Sequence, residues 1–203
     1  MNIDFAQVFV QFLVLLMSLT VHEAAHAFSA DRLGDPTARQ LGRVSLNPAV
    51  HADPIGTILF PLIAIITGVP VLGWARPVPV NTLNLRRNWK QKFMVIAAAG
   101  PASNLVLATL AAVLLRTLPL TDAVATALVL ALQLNVGLAV FNMIPVPPLD
   151  GGNVLAGVLR GSASDAFDRL RPYGFLIIYG LMLSGILWTI MVPPMRFITS
   201  LLL

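Results

Sequence analysis

Four apolar runs, at residues 3–30, 93–118, 123–144 and 173–192, are each long enough to cross the roughly 30 Å hydrocarbon layer of a bilayer, which takes about 20 helical residues. Lipid offers the backbone no hydrogen bonds, and a helix satisfies its own. The expected fold class is therefore an all-α polytopic membrane protein with about four full transmembrane helices. Composition agrees: 57% of the residues are hydrophobic and 11% charged, more apolar surface than a soluble core absorbs.

A fifth apolar run, 55–74, is interrupted by Pro61 and by Gly68-Val69-Pro70. Such breakers are tolerated at membrane depth where other protein covers them, so this run is read as a re-entrant or surface-lying segment. Residues 41–46 and 76–81 carry strand-compatible side chains with nearby prolines, and short edge strands are expected there. No internal repeat or low-complexity tract is present, and the whole chain, 1–203, reads as a single membrane-embedded domain without a separate soluble regulatory domain.

The net charge of +4 does not mark a nucleic-acid binder, because the positive residues collect in loops beside the apolar runs. Arg76, Arg86, Arg87, Lys90 and Lys92 lie together with no acid among them, and Arg160, Arg169 and Arg171 follow the third long run. Both groups are expected on the cytoplasmic side. With no cysteine, thiolate metal sites and a cysteine nucleophile are excluded. The first run is not read as a signal peptide: it lacks a basic start, and cleavage near Ala25-His26-Ala27 would destroy the most informative motif in the chain.

That motif is His22-Glu23-Ala24-Ala25-His26. Side chains four apart share a helix face, so both imidazoles can grip one metal ion, and Glu23 beside the first can take a proton from a water the metal activates. Two histidines and a glutamate inside an apolar helix are costly unless paired or bound. A catalytic zinc usually has three protein ligands and an open position. The third is then His51 or a carboxylate. Asp150 is the favoured carboxylate, because Pro145, Pro147 and Pro148 end the third long run just before it and Gly151-Gly152 permits a tight turn after it. Asp31, Asp35 and Asp53 are its competitors, although Asp35-Pro36 and Asp53-Pro54 look like turn initiators.

The apolar-embedded His-Glu-Ala-Ala-His, with Asn142 eight residues before Asp150-Gly151, resembles the site-2 proteases, intramembrane zinc metalloproteases. Further motifs resemble their compact prokaryotic members: Leu33-Gly34-Asp35-Pro36, Leu46-Asn47-Pro48, His51, Asp53-Pro54-Ile55-Gly56-Thr57, Gly73-Trp74-Ala75-Arg76-Pro77 and Ala99-Gly100-Pro101-Ala102-Ser103-Asn104. The resemblance covers roughly residues 15–155. It implies that His22, His26 and Asp150 bind one Zn2+ ion. It further implies that Glu23 is the general base and later the acid, and that Asn142 hydrogen-bonds the polarised carbonyl or the substrate backbone. His51 matches a motif position and is held as a supporting or gating residue.

If these ligands converge, the ends of the first and third long runs lie on one side, and residues 55–74 make no net crossing. The expected function is hydrolysis of peptide bonds in or next to transmembrane segments of membrane proteins. The protein's partners are then a transmembrane substrate and the lipid bilayer, in a prokaryotic cell membrane, with the site nearer the cytoplasm. The alternative is a zinc-binding membrane protein without protease activity, a transporter or an inactive scaffold. A transporter would repeat polar groups along several helices, and a scaffold would not keep Glu23.

Overall fold

The computed structural model describes residues 5–68 and 73–203 and is helical throughout, with no strand among the described residues. Helix α1, Phe5–Arg32, runs for 28 residues without a glycine or proline and stops where Gly34 adopts a φ of +108°. A short α2, Thr37–Gln40, follows, then a 3₁₀ turn at Pro48–Val50 and a π-helical turn at Pro54–Leu59 that leads into α3, Phe60–Thr67. After α4, Thr82–Leu85, come the two longest later helices, α5, Trp89–Thr117, and α6, Asp122–Asn142. The chain ends with α7, Asp150–Val158, α8, Ser162–Asp168, α9, Gly174–Leu183, and α10, Ile186–Leu202.

Helices α1, α5 and α6 are long and apolar enough to span a bilayer. They pack on one another, with Ala108, Ala111 and Ala112 of α5 meeting Leu132 and Val136 of α6. The small alanines let the backbones approach closely, which suits helices that gain nothing from hiding apolar surface in lipid. The distribution of side chains is the reverse of a soluble bundle. On α1, Phe5, Phe9, Leu13 and Met17 form an exposed stripe, while Ser18, Thr20, His22, Glu23 and His26 are buried. Apolar atoms face outward and polar atoms inward, as a bilayer requires.

Two sequence expectations need correction. The fourth apolar run is not one straight span. It is divided between α9 and α10, which meet at an 81° bend, where Ser184 closes α9 and Gly185 takes a φ of +76°. Among the described residues three helices are thus long and apolar enough to span, and a fourth only if the bent pair counts as one. The strands expected near 41–46 and 76–81 are absent too. Gly42, at φ +69°, turns the first stretch. The second is extended, but its backbone groups find loop and side-chain partners instead of a strand: Arg76 N–H donates to His51 O at 2.8 Å, Arg76 O accepts from the Arg43 guanidinium, and Asn81 N–H donates to Asp35. An extended preference is local, whereas a ladder needs a neighbour at the right place.

The run at 55–74 leaves and returns at one point. Trp74 N–H donates to Gly56 O at 3.0 Å, and Thr57 Oγ1 donates to Trp74 O at 2.8 Å. The Trp74 ring lies flat against Gly56, where a Cβ would fall 2.5 Å from ring atoms, so only glycine fits there. The run therefore makes no net traverse of the molecule. Part of it, residues 69–72, lies outside the described residues.

Asp35 pins the chain beyond this neck. It is fully buried and accepts bonds from Thr37 N–H (3.2 Å), Thr37 Oγ1 (2.5 Å), Asn81 N–H (2.6 Å) and Asn84 Nδ2 (2.8 Å). Burial alone would raise its pKa, but hydrogen bonds from Asn84, Thr37 and Asn81 overcome this and hold it below the ordinary carboxylate value.

Candidate metal centre

The last third of α1 carries His22, Glu23 and His26 on its inward face, one turn separating the two imidazoles. Asp150 arrives from the other end of the sequence, at the first position of α7. Three prolines between Asn142 and Asp150 prevent α6 from continuing, and the chain doubles back so tightly that a Cβ on Gly151 would lie 2.6 Å from Ile144 O. This fold-back delivers the carboxylate to the histidines. Asp150 Oδ2 lies 3.1 Å from His22 Nε2 and 3.3 Å from His26 Nε2, and the two Nε2 atoms are 3.0 Å apart. Among the described residues, His22, His26 and Asp150 are the group placed to hold a metal ion.

The hydrogen bonds around the triad decide whether it suits a cation. His26 Nδ1 faces Ile96 O at 2.7 Å, and a carbonyl only accepts, so that nitrogen carries the proton. His22 Nδ1 faces Asn104 Oδ1 at 2.6 Å, again an acceptor. Both neutral rings therefore turn a bare Nε2 lone pair inward. Asp150 Oδ2 is buried and receives no hydrogen bond from any donor. Three acceptors crowd one point with nothing to donate to them, an arrangement that repels itself unless a cation neutralises it. The set fits zinc: two imidazole nitrogens and one carboxylate oxygen, with room for a fourth position.

That room is a cavity of about 630 Å³ lined by the triad, Glu23 and Asn142 on the polar side and by Trp74, Val78, Phe141 and Phe175 among its apolar walls. Glu23 is buried beside His22, and Asn142 lies at the end of α6. In this state Asn142 Nδ2 donates to Leu138 O at 3.0 Å, within its own helix. That bond uses one of the two Nδ2 protons.

The competitors for the third ligand are all occupied elsewhere. Asp31 pairs with Arg39 at 2.5 Å, Asp35 is held as described, and Asp53 Oδ1 caps the π-helical turn by accepting from the amides of Ile55 and Gly56. His51 is buried but outside the triad, with Nε2 donating to Ser45 O at 2.8 Å. Its place is in the framework under the 73–81 strap.

Two features escaped the sequence reading in their roles. Gly100 lies directly against the histidines: a Cβ there would come within 2.5 Å of His22 Nε2 and closer still to His26 Nε2. Asn104 and Asn135 are buried polar residues inside apolar runs. An amide in the middle of a spanning helix was the signal available for both.

Fold and site together define a membrane-embedded protein with a triad able to bind a metal ion among its long apolar helices. The comparisons narrow this. The sequence pattern of peptidase family M50 matches residues 117–184, which include α6 and Asp150. A Bacillus subtilis (strain 168) protein named "Putative zinc metalloprotease YwhC" is 36% identical over 192 residues, covering 87% of this chain and 83% of that protein. Proteins named "Putative zinc metalloprotease Rip2" are 33% identical over 174 residues in Mycolicibacterium smegmatis and 28% over 172 residues in Mycobacterium tuberculosis H37Rv. Each of these two matches covers 83% of this chain and 64% of the relative, so the chain spans just under two thirds of the Rip2 proteins. No solved structure matches. The chain belongs to peptidase family M50.

Proposed function

We infer that this M50 peptidase, a zinc metalloprotease, hydrolyses peptide bonds in or next to transmembrane segments of other membrane proteins. The observation that carries the reading is the convergence of His22, His26 and Asp150, all acceptors, inside a bundle whose outer faces are apolar.

In this reading His22 and His26 from α1 and Asp150 from α7 would hold the ion. A bound zinc ion supplies a Lewis acid that polarises a carbonyl and acidifies water. Glu23, adjacent to His22 in the same cavity, accepts the proton of the attacking water and passes it to the leaving amine, so no proton is left over when the peptide bond breaks. Asn142, with one Nδ2 proton on Leu138 O, directs the other towards the carbonyl oxygen on which charge develops. The apolar walls keep bulk water away, which strengthens each of these contacts.

A transmembrane helix hides its carbonyls in internal hydrogen bonds, so the substrate must be extended locally before attack. The extended strap 73–81, with Trp74, Pro77, Val78 and Val80 on the cavity wall, is the surface along which such a peptide would lie, by strand addition. Lys92 donates to Leu33 O just past the end of α1 that carries the histidines, and Arg160, Arg169 and Arg171 follow α7, whose first residue is Asp150, which favours a cytoplasm-facing site in a prokaryotic cell membrane.

The transporter reading is weaker. Polar groups do recur on α1, α5 and α6 at Ser18, Asn104 and Asn135, but they are spent on one another and do not line the cavity. The test is cleavage of a panel of single-span membrane proteins by purified, reconstituted protein with zinc, compared with Glu23→Gln. Proteolysis lost in the variant supports the reading. Equal proteolysis, or none by the native chain on any substrate, refutes it.

A further inference from the structure

The two histidines are not held alike. His26 donates its Nδ1 proton straight to the Ile96 carbonyl, whereas His22 donates to a side-chain amide, Asn104 Oδ1. An amide can face either way, so by itself it does not dictate which ring nitrogen carries the proton. What fixes it lies further away.

Asn104 Nδ2 donates to Asn135 Oδ1 on α6 at 2.9 Å. Asn135 Nδ2 donates in turn to Ala131 O at 2.8 Å and to Ser18 Oγ of α1 at 2.9 Å. Ala131 O can only accept. The nitrogen of Asn135 must therefore face it, and the oxygen of Asn135 must face Asn104. Asn104 then presents its own oxygen to His22, and Nδ1 of His22 must hold the proton. Asn104, Asn135 and Ser18 are at most 2% exposed, so no water competes for these bonds.

Resting on the metal-site reading above, we propose that Asn104 and Asn135 form a positioning relay that carries the polarity of the Ala131 carbonyl across two helices to His22, fixing the tautomer that leaves Nε2 for the metal. The relay ties α1, α5 and α6 together at the level of the site. It also makes the ligand geometry depend on a helix, α6, whose span contributes no ligand. Neither asparagine touches the reacting atoms. A purely structural pair of buried amides would stabilise the bundle without regard to direction, while the relay requires one orientation at each step.

The test uses the full chain in detergent. Zinc affinity is measured by competition with a chromogenic chelator at one neutral pH. Ring ¹⁵N–¹H spectra are recorded on histidine-labelled, zinc-loaded protein, a tractable problem with only three histidines. Asn104→Leu is expected to weaken zinc binding by about 10–100-fold, and Asn135→Leu, which touches neither histidine, by roughly 10-fold. In both, the His22 Nδ1–H signal moves towards that of a weaker hydrogen bond while the His26 signal stays. Asn135→Asp keeps an acceptor towards Asn104 and is expected to retain the native His22 signal.

Native affinity and an unchanged His22 signal in folded Asn104→Leu and Asn135→Leu would overturn the relay. So would loss of the His22 signal in Asn135→Asp. If the leucine variants do not fold, the native spectrum decides: a His22 ring with its proton on Nε2 overturns the proposal, and one with it on Nδ1 upholds it. His22→Ala separates the two levels. Undiminished zinc affinity there refutes the metal-site reading itself, whereas a loss there with none in the leucine variants refutes only the relay.

Discussion

Gly100 offers the sharpest single test of the site's geometry. An alanine methyl at this position would lie 2.5 Å from His22 Nε2, 2.6 Å from His22 Cε1 and nearer still to His26 Nε2. Unbonded carbon keeps roughly 3.5 Å from such atoms, so the rings or α5 must retreat by about 1 Å. The rings are not free to do so, because their far nitrogens are bonded to Asn104 and Ile96. Overpacking of this kind costs about 1–3 kcal/mol, equivalent to roughly 5–150-fold. Because the clash falls on the ligand atoms, most of it should appear in metal binding, and about a 100-fold loss of zinc affinity is expected for Gly100→Ala. Proteolysis should be lost with it. Metal content per chain and chelator competition read the effect, with circular-dichroism melting to confirm the fold. Gly180→Ala on α9 serves as control, since a Cβ there meets nothing within 4 Å. Stoichiometric zinc at native affinity in folded Gly100→Ala would show that the imidazoles do not converge as described.

Glu23→Gln should keep its zinc and lose about 10²–10⁴-fold in turnover, as expected for removing a general base, measured by cleavage and metal analysis on the same sample. Asp150→Ala should instead lose the metal, which equilibrium dialysis against zinc buffers would show. Asp35→Ala strands buried donors on Thr37, Asn81 and Asn84 and should cost about 3 kcal/mol of stability with little change in intrinsic zinc affinity, read by thermal melting in detergent. The acid dependence follows from the depressed pKa of Asp35. The unfolded chain then binds the proton more tightly, so the Asp35 contribution is complete above the unfolded value near pH 4. It is lost as pH falls through the lower folded value. Asp35→Asn should remove that part of the acid sensitivity, and an unchanged pH–melting curve would contradict it.

Much of this was legible in the sequence because a bilayer simplifies the code. Runs of about 20 apolar residues announce α1, α5 and α6, and ionisable groups inside them announce a site. Asp150 could be favoured because prolines and glycines on either side of it signalled backbone that had to bend. The bend at Gly185 was harder to see, since one Ser-Gly pair in an apolar run is a weak breaker until neighbouring helices select the turned form. The strands failed for a different reason: residues 76–81 are extended as their composition suggests, but what meets them is one turn carbonyl, His51 O, and the side chains of Arg43 and Asp35, not a second extended backbone. The Asn104–Asn135 relay depends on the register between two helices that brings residues 31 apart in sequence into contact, which no local pattern encodes.

The bond between Gly56 and Trp74 has a wider consequence. The polypeptide diverges at Gly56 and rejoins at Trp74, so the stretch between these two points is a cassette whose described helix, α3, rests against α1. Because its two ends meet, a change of length between them re-threads no other helix. Its rim is Trp74, which also forms the cavity wall, so changes in the cassette bear first on which chains are admitted. In such a design preference for substrate can diverge quickly while the hydrolytic chemistry stays fixed.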